Sequence, residues 1–328
     1  MATRGGVVES EHLGHAVVVR GGEVVAAWGD PDTEVWCRSA VKPLQALPLF
    51  DRGVVDRLGL ADEELALISA SHQGTPMHVE VVDRILHKAG LGRDALACGP
   101  HSPFDRRAGL DIARAGGKPE RIHNNCSGKH AGFLLLAQAC GTPLDEYLIP
   151  ESATQTAVRA AVAEMMQLAP SQLGVAVDGC GAPTLRAPLS ALARAFWRLT
   201  NPQQLPAARR AACGRLLQAV SAAPYHLAGR GRLCSALIES APGRVYPKNG
   251  AEGVYAVGVA GLDLGVAIKV SDGAERAYVP VVVALLRRLG LWREVPPALA
   301  DFARLPLRNT RDELVGHVEC VIEGGASA

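Results

Sequence analysis

Lysine is scarce in this sequence, so its lysines are the first candidates for chemistry. Of the 34 Lys and Arg residues, only six are lysines. An exposed cationic position accepts either residue, but only lysine can lose its proton inside a site and act as a base. Because a coding preference for arginine would give the same scarcity, each lysine has to be judged by its neighbours.

Ser39 and Lys42 form the first such arrangement. Helical apolar spacing starts near residue 38, and a separation of three puts a hydroxyl and an amine on one helix face. A serine is a weak nucleophile until a base takes its proton, and a lysine desolvated in a pocket can be that base. The non-catalytic alternative is an N-cap serine followed by a solvated lysine.

Two polar segments could bind a metal ion or an anion. Cys126, Lys129 and His130 stand just before an apolar helical pattern, and a helix start favours anions. Asp178 and Cys180 lie in a turn that follows a predicted strand. Two thiols with these neighbours could hold zinc, although no Cys-x-x-Cys pair supports this and His130 is a more usual ligand than Lys129.

Two further polar turns complete the candidate segments. Segment 69–73 contains Ser71 and His72, and segment 247–253 contains Lys248. Each is predicted to adjoin a strand. Lys248 could stand at the edge of an active-site strand, but a surface loop would have the same composition.

The strands that position these segments are predicted at both ends of the chain. Valine-rich runs at 15–20 and 23–28 are separated by two glycines, which is a hairpin signal. The chain is therefore predicted to begin with two strands. Apolar runs near the other end predict strands at 254–259, at 265–270 and near 316–322, with a helix over 278–289.

Helical periodicity dominates the middle of the chain, interrupted by short β-like pieces at 66–69 and 175–178. Helices are predicted at 79–89, 132–140, 153–167, 189–199 and 207–219. This order predicts an α/β (α+β) fold in which N- and C-terminal strands form an antiparallel sheet flanked by helices. We expect one catalytic domain over 1–328, with a sheet-bearing part at 1–75 and 241–328 and a mainly helical part at 76–240.

The composition limits the classes of function. The 34 basic and 33 acidic residues give a net charge of +1, which supplies no positive surplus for nucleic acid. No run approaches the roughly 20 apolar residues that crossing a bilayer requires, and the first 15 residues lack a signal-peptide core. We therefore expect a cytoplasmic protein that binds neither nucleic acid nor membranes. Its eight cysteines, never closer than 14 residues, should be reduced.

Taken together and in this order, the polar segments resemble those of the L-asparaginase II family of the Rhizobium type. The resemblance spans most of the chain and is carried by segments 38–43, 69–72, 124–132, 178–183 and 248–253. It implies a fold similar to serine β-lactamases and glutaminases, and it implies a homodimer.

The resemblance also implies roles for individual residues. It pairs Ser39 with Lys42 and Ser71 with Lys248 as catalytic residues, without deciding which pair performs which step. It implies one zinc ion held by Cys126, Lys129 and Cys180, with a water near Asp178. A lysine ligand must be neutral, which requires a strongly lowered pKa. The candidates for substrate binding are Arg38, His72, Asn125, His130 and Asp178, with Arg38 suited to the α-carboxylate through a bidentate pair.

The function implied is hydrolysis of L-asparagine to L-aspartate and ammonia through an acyl-enzyme. In this scheme Ser39 attacks the side-chain amide and Lys42 accepts its proton, while Ser71 and Lys248 relay a proton to the departing ammonia. Two alternatives remain open. One is a β-lactamase-like or glutaminase-like acyl hydrolase with the same fold, and the other is a zinc-stabilised binding protein without chemistry.

Overall fold

The computed structural model describes residues 1–322, so the last residues of the predicted domain over 1–328 lie outside the described part. The strands, in chain order, are β1 (Ala2–Arg4), β2 (Val7–Ser10), β3 (Gly14–Arg20), β4 (Glu23–Trp28), β5 (Glu34–Trp36), β6 (Gly174–Val177), β7 (Pro183–Pro188), β8 (Val245–Asn249), β9 (Val254–Val259), β10 (Leu264–Val270), β11 (Arg304–Arg308) and β12 (Leu314–Glu319).

Helices fill most of the chain between β5 and β6 and between β7 and β8. They are α1 (Lys42–Gln45), α2 (Leu47–Asp51), α3 (Val54–Arg57), α4 (Asp62–Ile68), α5 (Pro76–Lys88), α6 (Arg106–Arg114), α7 (Ser127–Cys140), α8 (Ala153–Met166), α9 (Leu189–Thr200), α10 (Ala207–Ala222), α11 (Pro224–Ala228), α12 (Leu233–Ser240), α13 (Glu275–Arg288) and α14 (Ala300–Ala303). The predicted mixed α/β fold, with antiparallel sheets built from both ends of the chain, is confirmed.

The chain folds into two compact units. The sheet unit comprises residues 1–40, 187–201 and 236 onward, and the helical unit comprises 41–186 and 202–235. These limits differ from the predicted sheet-bearing and helical parts. Segment 41–75 joins the helical unit because α4 packs on α7 and α10, and segment 187–201 joins the sheet unit because α9 packs on β9 and β10.

The sheet unit is organised by a five-stranded antiparallel sheet in the order β4-β3-β10-β9-β8. The predicted hairpin is confirmed, because β3 and β4 are joined by Gly21 and Gly22, which have φ values of 60° and 94°. Positive φ at both central residues matches the twist of a two-residue hairpin. β9 is buried along its whole length, so both faces of this sheet are covered.

Helix α9 approaches one face of that sheet closely. A Cβ atom on Gly258 would collide with the carbonyl oxygen of Phe196, and one on Gly265 with that of Ala193. Tyr255, three residues from Gly258 and so on the opposite face of β9, contacts Tyr278 of α13 at 5.0 Å between ring centroids. The sheet is therefore sandwiched between α9 and α13.

A second sheet, in the order β11-β12-β1-β2, also joins the two ends of the chain. The prediction that the chain begins with the hairpin at 15–28 is wrong, because β1 and β2 precede it. Both are short, and β2 is largely exposed, so their residues carry little alternation of apolar and polar types. β1 is stabilised by the pairing of Ala2 with Val318, which lies more than 300 residues further along the sequence. A local sequence pattern cannot predict such a pairing.

Helix α7 lies at the centre of the helical unit and is buried from Ser127 to Ala137. It packs against α4 at very short range. A Cβ atom on Gly128 would collide with the carbonyl oxygen of Leu67, and one on Gly132 would lie 2.7 Å from the side chain of Ile68. These two glycines let the start of α7 meet the end of α4.

The strand predicted at 66–69 is wrong, because these residues end helix α4. Four consecutive apolar residues at 65–68 do not distinguish a buried strand from a buried helix. The helix is favoured by Glu64, whose carboxylate accepts the backbone N–H of Ala61 at 2.7 Å, and by three acidic residues in the first turn. The polar turn at 69–73 thus follows a helix.

The other predicted elements lie close to their expected places. The strand predicted at 175–178 is β6, which pairs antiparallel with β7. Strands β5, β7, β8 and β11 were not predicted. Within residues 1–322, no helix is long and apolar enough to cross a membrane.

Candidate active site

Three of the six lysines are buried, and they are the three that stand in the polar segments. Lys42, Lys129 and Lys248 expose 1%, 3% and 0% of their surface. Lysine is almost never buried without a partner or a function. Their partners therefore define the candidate site.

Lys42, at the start of α1, lies against the turn that follows α4. Its Nζ donates to the carbonyl oxygen of Ala70 at 2.5 Å and to Oγ of Ser71 at 3.2 Å, and it lies 3.2 Å from Sγ of Cys126. The Lys42 amine thus has three polar contacts within the helical unit. The structure brings together an amine, a hydroxyl and a thiol from three separate polar segments.

The turn that carries Ser71 is held from both sides. The N–H of Ser71 donates to the carbonyl of Leu227, and that of His72 donates to the carbonyl of Asn125. His72 is fully buried, with Nε2 at 2.9 Å from Ser127 Oγ and Nδ1 accepting the N–H of Gly74. Both ring nitrogens are engaged within the protein, so His72 orients the turn.

Cys126 is placed by a turn at the entrance to α7. Its N–H donates to the side-chain oxygen of Asn124, whose amide donates to the carbonyl of Gly99. The N–H of Asn125 donates to Nε2 of His101 at 3.0 Å. Sequence reasoning missed Asn124 and His101, although an asparagine two residues before a turn position is a usual signal for such a bond.

Cys180 lies at the tip of the β6–β7 hairpin and approaches Cys126 from there. Asp178 and Ala182 close the tip through a backbone hydrogen bond of 2.8 Å, and Gly181 has a φ of 85°. The side chains of Cys126 and Cys180 are hydrogen-bonded to each other. None of the eight cysteines, which all lie within residues 1–322, is joined to another by a disulfide.

The two thiols of this pair have opposite acidities. A hydrogen bond from Cys180 and the nearby charges of Lys42 and Lys129 lower the pKa of Cys126 well below that of an ordinary thiol, against the effect of burial. The same hydrogen bond and burial raise the pKa of Cys180. Cys126 is therefore the more acidic thiol of the pair. In contrast, burial raises the pKa of Cys98 to about 11.

Lys129 completes this cluster from the first turn of α7. Its Nζ lies 3.0 Å from Sγ of Cys180. Burial opposes its charge, but Cys180, Cys126 and Asp178 outweigh burial and raise its pKa. Without a metal ion, Lys129 is thus an ammonium group, whereas the zinc expectation requires a neutral amine.

The donor set of this cluster nevertheless fits zinc. Two sulfur atoms in mutual contact and one amine nitrogen give three of four tetrahedral positions, and zinc would have to displace the protons of Lys129 and Cys180. Within residues 1–322, no group of three or more His, Cys, Asp and Glu side chains could hold a metal. A zinc site here therefore needs the lysine.

His130 follows Lys129 on α7 and is completely buried. Its Nδ1 lies 2.7 Å from the hydroxyl of Tyr147, and the two rings meet edge to face. The hydroxyl also accepts the backbone N–H of Ala97 at 2.9 Å. No sequence pattern identified Tyr147, which lies in an irregular segment between α7 and α8.

In the sheet unit, Ser39 stands directly after a strained residue. Arg38 has a φ of 49°, a left-handed conformation that is uncommon for residues other than glycine. Such strain persists only where the surrounding structure imposes it, and it is concentrated at functional sites. The N–H of Ala40 donates to the carbonyl of Cys37 and closes the turn, leaving Ser39 half-buried.

Lys248 of β8 belongs to the same unit and donates to both the carbonyl and the side-chain oxygen of Asn249, at 2.7 and 3.0 Å. Gly250, which follows Asn249, packs against the turn that carries Ser39. A Cβ atom there would lie 2.9 Å from the carbonyl oxygen of Cys37. The chain just after Lys248 is therefore in contact with the Ser39 turn.

The described residues form a mixed α/β protein, and its family match places it among the hydrolases. The chain belongs to the L-asparaginase II family, whose sequence model matches residues 1–320. Membership indicates a small amide as the class of substrate. No curated protein matched the chain by sequence.

Two solved structures are similar to the chain at low identity. One is described as a β-lactamase from Mycobacterium bovis, with 13% identity, a TM-score of 0.37, and coverage of 88% of this chain and 92% of that one. The other is described as a putative β-lactamase from Bacteroides dorei DSM 17855, with 17% identity, a TM-score of 0.39, and coverage of 78% and 84%.

Proposed function

We propose that this protein hydrolyses L-asparagine to L-aspartate and ammonia through a serine acyl-enzyme. The observation that carries the proposal is the buried amine of Lys42 in contact with the Ser71 hydroxyl. Membership of the L-asparaginase II family supports an amide substrate. A buried lysine beside a serine is the arrangement in which an amine can act as a general base.

Ser39 is the proposed nucleophile. The strained backbone of Arg38 supports this choice, because it fixes the direction of the next residue. Oγ of Ser39 bonds to the side-chain carbonyl carbon of asparagine, and its proton passes to the amine of Lys42, three residues downstream. Ser71 and Lys248 then relay this proton to the departing ammonia as the C–N bond breaks. A donor to the developing oxyanion, for which we propose the N–H of Ser39, contributes about 3 kcal/mol.

Water then cleaves the acyl-enzyme and releases L-aspartate. Ser71, which accepts a hydrogen bond from Lys42, and Lys248 relay protons during this second half of the reaction. Arg38 binds the α-carboxylate, and Asn125, His130 and Asp178 contact the rest of the substrate. His72 acts by orienting the Ser71 turn.

Cys126, Lys129 and Cys180 would hold the zinc ion that the family resemblance implies. A zinc ion bound there would orient the substrate as a Lewis acid. The proposed nucleophile is the serine, so no hydroxide on the metal is required.

Ammonia release from L-asparagine and L-glutamine, together with the colour change that nitrocefin undergoes on ring opening, tests the function. We expect release from asparagine, and Ser39→Ala should abolish it, whereas Ser171→Ala, at an exposed position, should not alter it. Hydroxylamine should divert the acyl-enzyme to aspartyl hydroxamate. Activity of Ser39→Ala near the parent value would remove Ser39 from the mechanism, and turnover of nitrocefin alone would favour a β-lactamase-like hydrolase.

A further inference from the structure

The hydrogen bond between Tyr147 and His130 has a defined direction. The Tyr147 oxygen already accepts the N–H of Ala97, and its own single proton needs an acceptor in a buried place. Burial raises the pKa of Tyr147 and keeps that proton on the phenol. Nδ1 of His130, at 2.7 Å, is the acceptor in reach, so the proton of the neutral imidazole sits on Nε2.

Nε2 of His130 has no hydrogen-bond partner among residues 1–322, although it is buried. A buried donor left unpaired is costly, because it has lost its hydrogen bond to water and gained none in return. Buried donors are almost always paired with protein, water or a ligand. The acceptor of this N–H group is therefore a water molecule or a small molecule that is not part of the described chain.

The surroundings of His130 select the kind of atom that would accept this bond. His130 lies next to Lys129 and one helical turn after Cys126, so it shares the face of α7 that carries the proposed site. A ring N–H group donates to an acceptor such as an oxygen atom that carries negative charge or a strong dipole.

We propose that Tyr147 is a positioning residue that fixes the tautomer of His130, so that Nε2–H donates to a carboxylate or carbonyl oxygen of the substrate. This inference rests on the proposed function for the substrate and on the geometry for the tautomer. Tyr147 touches neither substrate nor reacting atoms. It acts only by deciding which nitrogen of His130 carries the proton.

Long-range ¹H–¹⁵N spectra of the histidine-labelled protein test the tautomer directly. The chain has ten histidines, and His130→Gln identifies the signals of His130. We expect a neutral Nε2–H tautomer in the parent protein and a mixture of tautomers in Tyr147→Phe. Tyr278→Phe is the matched control, because it removes a buried hydroxyl bonded to Glu275 at 2.8 Å in the sheet unit.

The parent spectrum decides the question even if Tyr147→Phe fails to fold. An Nδ1–H tautomer there would overturn the inference, as would an unchanged His130 signal in a folded Tyr147→Phe protein. Addition of L-aspartate should shift the Nε2–H signal of the parent protein. No shift at saturating L-aspartate would contradict the contact.

Kinetics separate positioning from general loss of structure. Tyr147→Phe should raise KM for asparagine about 10-fold, as expected for one lost hydrogen bond, with kcat changed less than about 3-fold. His130→Gln keeps an amide donor that has no tautomer, so adding Tyr147→Phe to it should raise KM less than about 2-fold. An equal effect in both backgrounds would contradict the inference. A parent protein without asparaginase activity would overturn the proposed function and leave the tautomer assignment intact.

Discussion

The amine of Lys42 lies 3.2 Å from the hydroxyl of Ser71, although 29 positions separate the two residues. The family resemblance pairs Lys42 with Ser39, three positions upstream, and Ser71 with Lys248. In the helical unit it is Lys42 that donates to Ser71. In the proposed mechanism one amine therefore serves two serines, so proton transfers in both halves of the reaction depend on it.

Substitution of Lys42 by arginine should abolish most of the activity. Arginine keeps the positive charge but does not release its proton, so it cannot act as the base. We expect kcat to fall about 1,000-fold, within the range for loss of a general base. Lys118→Arg, at an exposed position, should have no effect. A Lys42→Arg protein with more than a tenth of the parent kcat would show that Lys42 is not the base.

The zinc proposal predicts which cysteines determine metal content. Protein purified from zinc-supplemented cells should contain one zinc per chain by elemental analysis, and Cys126→Ser, Cys180→Ser and Lys129→Met should each remove it, because three donors are the minimum for a stable site. Cys140→Ser, at the opposite end of the same helix, should retain the metal. Full zinc content in Lys129→Met would exclude the amine as a ligand.

Gly128 is expected to be essential for the packing of α7 on α4. A methyl group there meets the backbone of Leu67, which cannot move as a side chain could, so Gly128→Ala should lower the free energy of unfolding by about 2 kcal/mol or more. Gly214→Ala in α10 is the control. Its Cβ would meet open space, and helix propensity should raise stability by about 1 kcal/mol. Chemical denaturation measures both, and equal effects would contradict the close approach.

His78 should make stability fall as the pH is lowered. Burial lowers its pKa from 6.5 to about 4. Between these two pH values the imidazole is protonated in the unfolded chain and neutral in the folded protein. Stability is thus retained above pH 6.5 and lost as the pH falls towards 4, with about 2 kcal/mol lost by pH 5.

Comparison of urea denaturation at pH 7.5 and 5.0 tests this dependence on His78. The loss between the two pH values should be smaller in His78→Gln than in the parent protein. His87→Gln, at an exposed position of the same helix, should keep the parent dependence. If His78→Gln loses as much stability as the parent, another group causes the effect.

The long helices and the central sheet could be predicted from sequence because their apolar spacing is local. Helix α8, predicted at 153–167 and observed at Ala153–Met166, illustrates this. The end of α4 could not be assigned, because four apolar residues fit either a helix or a strand. β1 depends on pairing with β12 at the other end of the chain, which no local pattern records.

The site was less accessible to sequence reasoning than the fold. Residue types and order singled out Lys42, Ser71 and Cys126, but their contact depends on glycines that bring α7 onto α4. The grouping of Cys126, Lys129 and Cys180 came from the family resemblance and not from spacing. Tyr147 carried no signal, because its partner is defined only in three dimensions. The bound zinc and the homodimer stay predictions.

The burial of Lys42, Lys129 and Lys248 also determines how the protein can be attached to a solid support. Amine-reactive resins and dyes modify only nitrogen atoms that they can reach, and the remaining lysines are Lys88, Lys118 and Lys269. Lys118 is exposed, and Lys88 exposes 29% of its side chain. Covalent immobilisation through lysine should therefore be confined to a few defined anchor points and should leave the buried amines unmodified.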